Sequence, residues 1–219
     1  MTGKELEERK QTLVDKLKLK ASTLSQATLS EICIILVDTS SSMGDRVNRD
    51  GGGSKIEAVR LAIPNLRAMG VKVMYGLVGF GSEAFTYQKL TFQFGLILSQ
   101  GEMLHPEGMT NISAGLEEGL QMLGGKFAEK KRMILLSDGQ ANVEVERIDH
   151  YLSLCQEGKV IVDTIAFGDS ADKRRLKDIA EKTGGIFYEA GNEQQLKEAY
   201  GKLNYNVRYL SHQIRTEER

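Results

Sequence analysis

Four apolar runs divide the chain: Ile32–Val37, Val71–Phe80, Met133–Leu136 and Val160–Phe167. They are mostly continuous rather than alternating, as expected of strands in a parallel sheet, which need apolar side chains toward both faces. The second run fits less cleanly, with Lys72 at its start and glycines at 76 and 79. From Phe85 to Phe94 the pattern changes, because Leu90, Phe92 and Phe94 alternate with Thr91 and Gln93. That spacing predicts an edge or antiparallel strand with one solvated face. Helical spacing fills the intervals. Lys55–Met69 carries Ile56, Val59, Ile63 and Leu66 on one stripe, with Pro64 expected to kink it. Ile112–Leu123 and Lys173–Thr183 follow, the latter ended by Gly184-Gly185, and Gln194–Leu203 closes the series. Strand and helix alternate from Glu31 onward, so the expected fold class is α/β: a doubly wound, mostly parallel sheet with one antiparallel edge strand.

Both ends add helical material. Residues 4–20 place Leu6, Leu13, Val14 and Leu17 near one helix face, and Ala21–Ser30 is a Ser/Thr-rich connector. At the other end Val207, Leu210 and Ile214 continue the spacing from Leu203. The expected organisation is a helix and connector over 1–29, the α/β domain over 30–204, and a helical extension over 205–219. The terminal stripes suit packing on the domain or on each other, with dimerisation as the alternative.

Composition narrows the function class. A length of 219 residues and a net charge of −1 suit one soluble domain with appendages and no general attraction to nucleic acid or acidic membranes. No apolar stretch is long enough to span a bilayer, and the N-terminus lacks the apolar core of a signal peptide. Two cysteines, Cys33 in a predicted strand and Cys155 in a predicted helix, read as buried free thiols, which makes a cytoplasmic location the expectation.

The chemistry lies where the first run ends. Asp38-Thr39-Ser40-Ser41-Ser42 puts one carboxylate and two alternate hydroxyls at the point where a buried strand leaves the sheet. Downstream, Thr110 stands in Gly108-Met109-Thr110-Asn111-Ile112 and Asp138 in Leu135-Leu136-Ser137-Asp138-Gly139. Loops at the carboxyl ends of the strands converge in such sheets, so the three segments can meet on one edge. All five candidates offer hard oxygen donors, which suit Mg²⁺ or Mn²⁺, with Ca²⁺ also compatible, and not Zn²⁺.

Together, Asp38, Ser40, Ser42, Thr110 and Asp138 resemble the metal-ion-dependent adhesion site of the von Willebrand factor A family, over roughly residues 30–204. The resemblance implies that Ser40, Ser42 and Thr110 supply hydroxyls to a cation directly, while Asp38 and Asp138 bind it directly or through water. It further implies a protein-binding module, not an enzyme, whose partner completes the coordination shell with a Glu or Asp carboxylate. Lys55-Ile56-Glu57-Ala58-Val59 with Ile63-Pro64 is similar to intracellular bacterial single-domain forms, some of which belong to stress-response systems or work beside AAA+ ATPases.

Two other functions compete. A haloacid-dehalogenase-like hydrolase or phosphatase also sets an Asp after its first strand, but needs a second Asp two residues later, where this chain has Ser40. Gly51-Gly52-Gly53-Ser54-Lys55 has the wrong order and position for a phosphate-binding loop. The third reading is a structural subunit that interacts through its terminal helices. Met43 and Met109 are expected to pack or to line the rim of the site, and Ser41 to point elsewhere.

Overall fold

In the computed structural model, residues 31–47, 53–67 and 72–204 are described. Six strands form one sheet: β1 (Glu31–Asp38), β2 (Val73–Phe80), β3 (Ala84–Thr91), β4 (Lys130–Ser137), β5 (Val160–Phe167) and β6 (Phe187–Ala190). Their order across the sheet is β3-β2-β1-β4-β5-β6. Every pairing is parallel except β2 with β3. The helices are α1 (Lys55–Ala62), α2 (Phe94–Gly101), α3 (Ile112–Leu123), α4 (Ile148–Glu157), α5 (Lys173–Thr183) and α6 (residues 193–204).

Alternate side chains of each strand supply two cores. Cys33, Ile35 and Val37 of β1 pack with Leu136, Phe167 and the inner faces of α1, α2 and α6. Ile32, Ile34 and Leu36 face the other way, toward α3, α4 and α5. All eight residues of β1 are buried, which is why its apolar run is unbroken. The two cysteines are free and lie in opposite cores, one on each side of the sheet.

Several expectations shift on inspection. The helix over Lys55–Met69 is shorter: α1 ends at Ala62 and a 3-10 turn covers Ile63–Leu66, because Pro64 cannot donate to the helix ladder. The edge strand is antiparallel as expected but stops at Thr91, whose hydroxyl accepts from Gln93 N–H at 3.0 Å, and Phe94 begins a helix instead of ending the strand. The helices expected over 4–20 and 205–219 lie outside the described residues.

Gly184 and Gly185 do end α5. Gly184 takes φ +72°, and Gly185 N–H donates to Ala180 O at 2.8 Å, closing the helix in the manner glycine favours. Gly185 is also tightly enclosed: a Cβ there would collide with the Val162 carbonyl and sit 3.0 Å from Asp163 N. Backbone on β5 cannot give way as a side chain can. Gly185→Ala is therefore expected to cost about 2–3 kcal/mol in urea melts. An unchanged melt would show that the α5–β6 connection has room for a side chain at this position.

Candidate metal centre

The chain crosses from β1 to β2 in one direction and reaches β4 on the other side of β1, so the sheet order reverses between β1 and β4. Asp38 is the last residue of β1, and Asp138 follows immediately on β4. Both carboxylates thus stand at the crevice where doubly wound sheets bind ligands.

Asp38 is fully buried and held from two sides. Its Oδ1 accepts Ser40 N–H at 2.8 Å and its Oδ2 accepts the Ser137 hydroxyl at 2.5 Å. Burial pushes its carboxyl up to about 6, while the bonds from Ser137 and Ser40 pull the other way. Ser40 and Ser42 share a hydrogen bond between their hydroxyls at 3.1 Å, and Ser42 donates to Asp138 Oδ1 at 2.8 Å. The alternate spacing matters: Ser41 between them turns outward, where its hydroxyl donates to Gly108 O at 3.0 Å. A 3-10 turn over Ser41–Gly44, with Met43 buried beneath it, fixes this arrangement.

Thr110 arrives from the loop before α3. That loop is laced to the strand ends by Ser41 N–H to Gly108 O (3.0 Å), Glu107 N–H to Thr39 O (2.5 Å) and Asn111 N–H to Gly81 O (3.0 Å). Thr110 is buried; its N–H donates to Asn142 Oδ1, and Asn142 N–H returns a bond to Thr110 O. Asn111, not Thr110, caps α3, accepting from Ala114 N–H at 3.0 Å. The Thr110 hydroxyl is thereby left for the site. A Cβ on Gly139 would sit 3.2 Å from Thr110 Oγ1 and 3.7 Å from Ser42 Oγ. The bare α-carbon keeps open a hollow that both hydroxyls border.

All five predicted residues therefore gather at one place. Two neighbours escaped the sequence reading. Ser137 fixes Asp38, and Lys55 reaches Asp138 Oδ2 at 2.5 Å with its side chain only 11% exposed. Lys55 could have been suspected, since a lysine at the first position of a helix opposes the helix dipole. Met43 packs inside while Met109, half exposed, stands at the rim. His105 and His150 are exposed and take no part.

The donor set is all oxygen, with two carboxylates and three hydroxyls. Among the described residues no group of three His, Cys, Asp or Glu converges on one point. The donors that border this hollow are oxygens, the ligand type that hard divalent cations take.

The family model for the von Willebrand factor type A domain matches residues 33–202, most of the chain. The chain belongs to the von Willebrand factor type A (vWA) family. Solved structures agree on the vWA fold. A von Willebrand factor type A protein from Catenulispora acidiphila is 18% identical with a TM-score of 0.70, covering 81% of this chain and 42% of its own. BatB, a conserved hypothetical protein from Bacteroides thetaiotaomicron, is 16% identical with a TM-score of 0.67, over 82% of this chain and 99% of its own. The PilB minor pilin from Streptococcus sanguinis is 18% identical with a TM-score of 0.64, over 83% of this chain and 62% of its own. Such identities establish the fold alone. Among curated protein sequences, none matches closely enough to serve as a relative.

Proposed function

We propose that this vWA domain is a metal-dependent protein-binding module whose adhesion site is formed by Asp38, Ser40, Ser42, Thr110 and Asp138. One observation carries the reading: oxygens from three distant segments meet at the β1–β4 crevice, with Ser42 bonded both to Ser40 and to Asp138. Mg²⁺ or Mn²⁺ is the cation that the oxygen set favours. Neutral hydroxyls offset little of a double positive charge, so the bound cation supplies an electrophilic position for an outside anion. A Glu or Asp carboxylate on a partner protein fits that position.

The residues divide the work. Asp38, fixed by Ser40 N–H and Ser137, presents charge at the base of the hollow without a flexible side chain to order. The hydroxyls of Ser40, Ser42 and Thr110 line it. Asp138 ties the first segment to β4 through Ser42. Ser40 stands where a hydrolase of this topology would need a second carboxylate, which favours binding over phosphoester hydrolysis. Buried free thiols suit a reducing compartment, in keeping with a cytoplasmic setting and an AAA+ ATPase or stress-response partner. Among the described residues no helix is long and apolar enough to cross a membrane.

Acetate serves as a minimal carboxylate probe. With Mg²⁺ present, millimolar acetate is expected to shift the amide resonances of Ser40, Ser42 and Thr110, and EDTA should abolish the effect. Equal shifts in EDTA, or none in the Mg²⁺-loaded domain, would contradict the proposal.

A further inference from the structure

Lys55 breaks two local preferences at once. It sits at the first position of α1, next to the capping residue Ser54, where the helix dipole favours acidic side chains. It is also buried, and lysine seldom is unless paired. Local rules are most often broken where function requires it.

Its partner explains the placement. Lys55 Nζ lies 2.5 Å from Asp138 Oδ2, and Asp138 is fully buried. The other oxygen of the same carboxylate, Oδ1, accepts from Ser42. Asp138 is thus shared, with the Ser42 hydroxyl on one oxygen and the ammonium on the other. The end of the lysine lies over Gly168, just past β5, where a Cβ would sit 3.6 Å from Cε and 3.9 Å from Nζ. Its backbone is coupled to the candidate ligands as well: Lys55 N–H donates to Asp45 O, and Asp45 N–H donates to Ser42 O. Among the described residues, Lys55 is the one cation paired with either site carboxylate.

We propose that Lys55 is a built-in counter-ion of the metal site, neutralising Asp138 through the oxygen that does not face the hydroxyls and so setting how tightly a divalent cation is held. The inference rests on the metal-site reading above. Asp38, Asp138 and Lys55 together carry one net negative charge, so a divalent cation leaves the site with one positive charge in excess. Without Lys55 the loaded site would be neutral. The lysine therefore weakens cation binding and strengthens the attraction for an incoming carboxylate. In the metal-free protein it also keeps Asp138 from standing as an uncompensated buried charge.

The test compares isothermal titrations of Mg²⁺ into EDTA-stripped wild type, Lys55→Met and Lys55→Arg, with thermal melts in EDTA and in Mg²⁺. Lys55→Met should bind Mg²⁺ about tenfold tighter or more, since like charges a few ångströms apart in a protein interact at that scale. It should also melt lower in EDTA and gain more from Mg²⁺ than wild type does. Lys55→Arg, which keeps the charge, should stay within about threefold of wild type. Equal or weaker Mg²⁺ binding by a folded Lys55→Met overturns the counter-ion role. A wild type that binds no Mg²⁺ instead defeats the metal-site reading itself, and this inference with it. Should Lys55→Met not fold even with Mg²⁺, Lys55→Gln replaces it; failure of both would make the residue purely structural and also overturn the proposal.

Discussion

Replacing Arg132 by methionine is expected to destabilise the domain by about 3–5 kcal/mol, the range seen when one member of a buried ion cluster is removed. Arg132 lies on β4 at the end of the sheet remote from the candidate metal centre, 3% exposed. Its Nε is 3.4 Å from Glu31 Oε1 and 3.1 Å from Asp163 Oδ2, and a terminal nitrogen donates to Leu203 O at the end of α6. The two carboxylate contacts are close as charges but lack hydrogen-bond geometry, so their value is mainly coulombic. Without Arg132, the buried carboxylates of Glu31 and Asp163 would keep only the Lys130 ammonium as a nearby opposite charge among the described residues.

The deficit should depend on pH with a definite sign. Burial already holds Glu31 and Asp163 above the usual carboxylate range, and Arg132 pulls both down. Removing it raises them further. A carboxyl whose folded pKa exceeds its unfolded value near 4 binds protons better when folded, so stability falls as pH rises through that interval. Arg132→Met should therefore lose more stability at pH 8 than at pH 5. A loss that is the same at both would mean that the arginine acts by packing alone. Replacing all three residues by apolar ones of similar volume is expected to recover most of the loss.

The second large effect falls on metal binding. Asp38→Asn preserves shape: its amide oxygen can accept Ser40 N–H and its NH₂ can donate to Ser137. What disappears is the buried charge at the base of the hollow. Mg²⁺ affinity should fall by about a hundredfold or more, beyond the loss typical of residues one shell further out. Stability in EDTA should not fall. Burial pushes the Asp38 carboxyl up to about 6, so near pH 8 the ionised group disfavours the metal-free fold by about 3 kcal/mol, and asparagine carries no such penalty. Opposite signs for metal affinity and metal-free stability distinguish a residue kept for its charge from one kept for packing. If Asp38→Asn melts well below wild type in EDTA, the carboxylate is structural.

Much of this fold is legible in the sequence. Runs such as Ile32–Val37 announce central parallel strands because a strand covered on both faces has no polar side to show. The candidate ligands were legible for a related reason: Asp38 and Asp138 follow such runs directly, and strand ends in this topology converge. Other features were hidden by distance along the chain. The pairing of Lys55 with Asp138, 83 residues apart, follows from how α1 is set against the ends of β4 and β5, which no local pattern records. The helix Phe94–Gly101 was masked because Leu90, Phe92 and Phe94 alternate across the junction as a strand would. Burial at Phe94 and Ile97, three residues apart, is what reveals the helical face. Strand β6, four residues long with only Ala190 buried, offers too short a pattern to read.

Isothermal titration of Mg²⁺ into EDTA-stripped protein, wild type beside Asp38→Asn, tests the metal-dependent reading most directly. Wild type is expected to show saturable binding at one site per chain, and the variant none in the same range. A folded wild type that gives no saturable binding, or a variant that binds as wild type does, would contradict it.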